Sequence, residues 1–234
     1  MSRMPTPLTV VLAAWAGLFA YLEVSGRWSE FLAARVAWIV PVAALLFGAA
    51  ALAHGYAARY RPRPPSSWRT ASLSVAGILP VLLVVAVPID PLSSFAAERR
   101  SAYSTATFAS VAPPRAGETL TFQQLVAAAG SAETRAALAE RAGEAVDLVG
   151  IVTEPGEGGF RLTRFVVACC VVDATVAQVD VRPAAGTPAA DLAENAWVRV
   201  TGTLAVDDEG LPSLVDAEVA PTERPNPPYL YPGG

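Results

Sequence analysis

Charged side chains are missing from three long apolar runs near the start of the chain and recur at short intervals in the rest of it. Between Arg3 and Glu23 lie 19 uncharged residues, between Arg35 and Arg59 there are 23 with His54 counted neutral, and between Arg69 and Asp90 there are 20. A helix needs about 20 apolar residues to cross the hydrocarbon core of a bilayer. The pattern therefore predicts three transmembrane helices, over 6–22, 36–54 and 71–89, and a transmembrane region of residues 1–90. The first run also fits a secretory signal peptide, with Val24-Ser25-Gly26 as a small-residue cleavage site. Removing it would leave the orientation of everything downstream unchanged.

Beyond Asp90 the texture changes twice. Residues 91–118 are rich in Pro, Ser and Ala without strong periodicity, which reads as a linker. Residues 119–144 read as short helices: Thr121 and Gln124 have capping-box spacing ahead of Phe122, Leu125 and Val126, and a second helical stretch covers Ala132 to Arg141. Residues 145–220 alternate as strands, over 146–153, 160–168, 175–182, 197–204 and 211–219, with turns at Gly156-Glu157-Gly158-Gly159 and Asp207-Asp208-Glu209-Gly210. Gly202 marks a bulge, and Ala189 to Asn195 a helical turn. Five short strands with a helical segment before the fourth predict a small OB-like Greek-key β-barrel, a sandwich fragment being the alternative. The fold class is thus a membrane-anchored α+β protein. The tail, residues 221–234, is Pro-rich and reads as a strap along the barrel, a segment for a partner's groove, or a disordered end. Its candidate partner-binding residues are Pro228, Tyr229 and Tyr231.

Charge then sets orientation and excludes one class of partner. The connection between the second and third runs carries Arg59, Arg61, Arg63 and Arg69 and no acid, whereas the first connection carries Glu23, Arg27 and Glu30. Positive loops stay cytoplasmic, so three crossings put the N-terminus inside and residues 91–234 outside the cytoplasmic membrane. Glu98-Arg99-Arg100 weakly oppose this, outweighed by the four arginines. Residues 1–90 hold seven Arg against three acids, and residues 91–234 hold ten Arg against 18 acids. So acidic an external part lacks the basic footprint of a nucleic-acid binder. Membrane lipid is the one partner the composition itself names.

The chemistry concentrates in Cys169 and Cys170, the two cysteines of the sequence, with Asp173 three residues on. Thiolates and a carboxylate suit Zn or another thiophilic metal or metalloid. Adjacent residues of a strand point to opposite faces, so the pair can share one ion only where the strand ends or kinks. Two other readings stand beside the metal site: reversible thiol redox chemistry, and two small buried hydrophobic residues. Arg164 and Phe165 support the site, Arg164 by pairing with Asp173 or by contacting an anionic ligand. His54 reads as an interfacial residue or a proton relay. Ala13/Gly17 and Ala44/Gly48 have small-residue packing spacing, and Pro41 and Pro80 predict kinks. There is no P-loop, no Ser/His/Asp set and no zincin motif, so no enzyme is expected.

Several of these pieces fall in a recognisable order. Gly150 and Val152 stand in a GxV strand, Phe160 to Ala174 read FxLxRFxxxCCxxDA, Trp197 to Gly202 read WVxVxG, and Pro225 to Tyr231 read PNPPYLY. Behind N-terminal membrane helices, this arrangement resembles the YcgQ-like permease-subunit family of bacteria. The resemblance implies a multi-span permease of the YcgR/ArsP-like type as partner, and hence an accessory role in transport. It names no substrate. An extracytoplasmic thiol-redox or envelope-stress protein, and a purely structural scaffold for the permease, are the competing expectations.

Overall fold

A computed structural model of the chain describes residues 6–60, 68–86, 92–99, 111–186 and 192–231. It divides into two compact units, Met1–Asp90 and Pro91–Gly234.

The first unit is helical. Helix α1, Pro7–Ser25, starts where Thr6 accepts the Thr9 amide and Pro7 takes the first position, and it stops at Gly26 in the left-handed conformation, φ 71°. Helix α2 is Ile39–Ala57, continuing from a 3-10 turn at Ala34–Val36. Trp15 and Phe19 of α1 meet Phe47 of α2, with ring centroids 6.1 and 5.8 Å away. Leu45, Leu46 and Leu52 are exposed on α2. Both α1 and the stretch Ala34–Ala57 are long and apolar enough to cross a membrane.

Of the three expected spans, the described residues show two at full length. Helix α3, Trp68–Ala86, exists, but its described apolar stretch is Ser72–Ala86. Two helices of spanning length are therefore shown; residues 87–89 of the expected third lie outside the described residues. Helix α3 packs on α1, where the Trp15 indole donates to the Gly77 carbonyl at 2.9 Å. A Cβ on Gly77 would sit 3.0 Å from Val11, so this glycine permits the approach. The expected small-residue contacts at Gly17 and Gly48 are not there: a Cβ on either meets nothing within 4 Å. Pro41 lies in the first turn of α2, where no intrahelical donor is lost, whereas Pro80 does lie inside α3. His54 ties helix ends together, its Nδ1 lying 3.2 and 3.0 Å from the hydroxyls of Thr6 and Thr9.

The second unit opens with helix α4, Ser94–Arg99, inside the segment expected to be plain linker. It is fixed from far away in sequence: Asn195 Oδ1 accepts the Ser94 amide at 2.6 Å, and its Nδ2 donates to the Ser94 hydroxyl at 3.0 Å. Helix α5, Phe122–Ala127, carries the expected Thr121/Gln124 capping box, and α6, Ala132–Ala139, follows.

Five strands then form the sheet: β1 Ala145–Gly156, β2 Gly159–Val166, β3 Thr175–Pro183, β4 Trp197–Val206 and β5 Pro212–Pro221. Their pairings run β1-β2-β3-β5-β4 and return from β4 to β1, with β3 parallel to β5 and the other pairs antiparallel. Leu148, Val152, Leu162, Val179, Val200, Leu204 and Leu214 fill the interior, with α5 and α6 adding Leu125 and Leu138. Gly202 sits at a register shift between Thr201 and Thr203, as its isolated position in a strand pattern implies. The helical turn expected over 189–195 falls partly outside the described residues, and 192–195 hold no helix.

One feature of β1 positions the site. It pairs with β4 from Ala145 to Ile151 but with β2 only from Ile151 onward. Past Thr163, β2 therefore has a free edge on that side, and the tail takes it. Leu230 bridges Val166 in parallel: its amide donates to the Phe165 carbonyl and its carbonyl accepts the Val167 amide, each at 2.9 Å.

Candidate metal centre

Strand β2 ends at Val166, and the chain then turns through Ala168, Cys169 and Cys170 into a 3-10 turn at Val171–Asp173. No glycine or proline drives this turn. Asp173 does, by folding its carboxylate back onto the loop. Its Oδ1 accepts the Ala168 amide at 2.9 Å, and its Oδ2 accepts the amides of Cys169 at 2.7 Å and Cys170 at 3.4 Å. The Cys170 side chain caps the turn in return. Three successive N–H groups around one carboxylate form a small anion nest.

The kink removes the obstacle that a straight strand would raise. Both cysteines are free thiols, Cys169 exposed and Cys170 half-buried, and their sulfurs lie 3.7 Å apart. The two sulfurs and a carboxylate oxygen of Asp173 all fall within 4.8 Å of one another. These residues can hold a thiophilic ion, and among the described residues they are the group of this kind.

The electrostatics of the cluster are those of a protonated thiol beside an ionised acid. The hydrogen bond to Asp173 and then that to Cys170 push the Cys169 thiol up to about 11. Burial works to raise the Asp173 carboxyl, but the hydrogen bonds from Cys169 and from the amides of Cys169, Ala168 and Cys170 outweigh it and hold the group below its ordinary value. A thiol held this way is a poor nucleophile at neutral pH, because the thiolate is the reactive form. A bound cation would reverse the balance by displacing the proton.

Arg164 does not join this cluster. Pairing with Asp173 was an expectation; instead the Arg164 side chain fills the opening between β1 and β2. Its Nη1 donates to the Val149 carbonyl at 3.2 Å, and its Cζ lies 5.3 Å from the centroid of the Trp197 ring. The residue is 8% exposed, and its Nε has no hydrogen-bond partner among the described residues. Burial draws its pKa down to about 10, against the opposing influence of Tyr231. Phe165 is buried too, and its contribution is the backbone carbonyl that receives the tail.

The three tail residues also turn inward. Pro228 and Tyr229 are buried, and the Tyr231 carbonyl accepts Nε2 of Gln123 on α5 at 2.9 Å. The tail is a strap on its own domain, ending beside the loop that carries the cysteines. Gln123 and Trp197, which touch the strap and Arg164, are not singled out by any local pattern. Trp197 stands next to Arg164 only through the β1–β4 pairing, and a buried Gln in an amphipathic helix gives no local signal of a distant acceptor.

Residues 133–232 match the family model of the DUF1980 C-terminal domain. The match takes in all five strands, the cysteine loop and the strap, and it supports a DUF1980/YcgQ-like relationship at a coarse level. Among curated proteins and solved structures, none matches the chain.

Proposed function

We propose that this protein is a membrane-anchored accessory subunit of a bacterial permease of the YcgR/ArsP-like type. Its C-terminal domain would lie outside the cytoplasmic membrane and bind a thiophilic metal or metalloid ion through Cys169, Cys170 and Asp173. The observation that carries the reading is the convergence of two free sulfurs and a carboxylate oxygen within 4.8 Å on an exposed loop. The apolar helices α1 and α2 and the DUF1980 match are compatible with a membrane-associated accessory role. The external location requires α3 to complete a third crossing. The uncharged run from Thr70 to Ile89 and the four arginines before it support that.

The C-terminal domain is read as an OB-like Greek-key barrel, in keeping with the strand order and the parallel β3–β5 pair. In this reading the barrel is a rigid mount and the β2–β3 connection is its working part. Thiol redox chemistry is the weaker reading, since Cys169 is held protonated well above neutral pH. The test is metal analysis of the full chain purified in detergent, beside the Cys169→Ser/Cys170→Ser variant. Metal bound to the wild type and absent from the variant supports the reading. Metal absent from both, with two free thiols counted, leaves a scaffold.

A further inference from the structure

The geometry points to a divalent ion of tetrahedral preference, of the zinc and cadmium kind, held by three protein donors with its fourth position open for hand-over. This inference rests on the metal-binding reading above and narrows the class of ion and the manner of holding it.

The sulfur separation is the first argument. Two Zn–S bonds of about 2.3 Å spanning a gap of that size enclose an angle of about 107°, close to tetrahedral. The gap itself is the 3.7 Å between the Cys169 and Cys170 sulfurs. An ion that takes two thiolates in line would need the sulfurs roughly 4.6 Å apart at the same bond length. The backbone that carries both sulfurs is held in place, because the amides of Ala168, Cys169 and Cys170 are all tied to the same carboxylate.

The donor set is the second argument. Thiolates alone serve monovalent copper and zinc alike, whereas a carboxylate beside two thiolates suits a borderline divalent ion better than the softer Cu(I). Asp173 is the third member of the cluster, and its amide bonds fix the direction of its oxygens in the way outer-shell partners orient metal ligands. The third argument is the count. Structural zinc sites close with four protein ligands, and sites that exchange or react keep a position open. Here the group holds three donors among the described residues, and Cys169 is exposed. A site so built receives an ion from solvent or passes it to a donor on another protein more readily than it stores one.

The test uses the reduced, metal-free full chain in detergent, with Co(II) as a spectroscopic probe of geometry, back-titration with Zn(II), and a parallel Cu(I) titration against a chromophoric chelator. The expected result is one Co(II) per chain with the intense visible bands of tetrahedral coordination and a thiolate charge-transfer band, displaced one-for-one by Zn(II). Cys169→Ser, an exposed and conservative change, lowers the charge-transfer intensity by taking away one of the two thiolates, and Asp173→Asn weakens binding by about tenfold or more. Tight Cu(I) binding with neither Co(II) nor Zn(II) bound overturns the choice of ion and leaves a thiophilic site in place. Binding of none of the three overturns the metal reading as well. Octahedral Co(II) spectra unaffected by Cys169→Ser also overturn the inference, since the thiols are then not ligands.

Discussion

The Leu230 amide donates to the Phe165 carbonyl at 2.9 Å, so the Pro-rich tail is hydrogen-bonded to the strand that leads into the cysteine loop. The bond exists because β1 leaves β2 beyond Thr163 to follow β4, which opens a length of β2 edge. An open edge of unpaired N–H and C=O groups is costly inside a domain and hazardous at its surface. Leu230→Pro removes the donor while keeping an apolar side chain. The expected loss is about 1–3 kcal/mol of stability, the cost of leaving a buried carbonyl unpaired. Leu230→Ala keeps both backbone bonds and should lose less. Thermal unfolding of the two variants decides it, and equal losses would assign the strap's contribution to the side chain.

Arg164 is buried beside Trp197 with a carbonyl for company and no carboxylate among the described residues. Desolvating a cation costs more than one hydrogen bond and a ring contact return, and apolar replacements of similar shape at such positions are often neutral or stabilising. Arg164→Met is therefore expected to change stability by between nothing and a gain of about 1–2 kcal/mol. It should leave metal affinity unaltered, since Arg164 is not part of the cysteine cluster. A clear loss of metal or anion binding in this variant would return Arg164 to the site and show that its burial serves a ligand.

These two residues also mark where the sequence stops being informative. The strands, the Thr121/Gln124 cap and the Gly202 irregularity were legible because each is written in a pattern within a few residues: period-two burial, a cap spaced by three, a glycine in an apolar strand. The cysteine turn was not, because a single side chain makes it by reaching backward to three amides, and Asp173 looks like any acid after a strand. Helix α4 is illegible for a related reason. Its anchor is Asn195, 101 residues away. The strap's three alternatives could not be separated by composition either, since what selects among them is the length of β2 edge that β1 leaves open. Arg164 interrupting an apolar run suggests an acid or an anionic ligand as its partner, whereas the topology supplies a carbonyl and an indole.

The Cys169 thiol is held up to about 11, first by its hydrogen bond to Asp173. From the ordinary value of 9.0, that shift lowers the thiolate fraction near pH 8 by about a hundredfold. Because the folded-state value is raised, this bond contributes stability in full below about pH 9 and loses it as the pH climbs through about 11. Alkylation of Cys169 in the metal-free protein, followed across pH by fragment-ion mass spectrometry, should rise steeply only above pH 10. Asp173→Asn removes the leading cause and should speed alkylation at pH 8 by tens of fold. Fast alkylation of the wild type at neutral pH would contradict this account and revive the redox reading.

The two cysteines are the sequence's own reporters of membrane side, because no other thiol exists in the chain. Cys169 is exposed at the loop and accessible to a bulky reagent. If α3 completes a third crossing, a membrane-impermeant maleimide should label the Asp173→Asn variant, whose Cys169 is the more reactive, in intact spheroplasts after brief chelation, with labelling largely lost when Cys169→Ser is added. If only α1 and α2 cross, an even number of spans returns the chain to the side of the N-terminus, and the arginines of the loop after α2 make that side the cytoplasm. Labelling would then appear only after permeabilisation. That outcome would move the metal centre inside the cell, among reduced thiols, and would make the protein one that meets its ion on the cytoplasmic side of the permease.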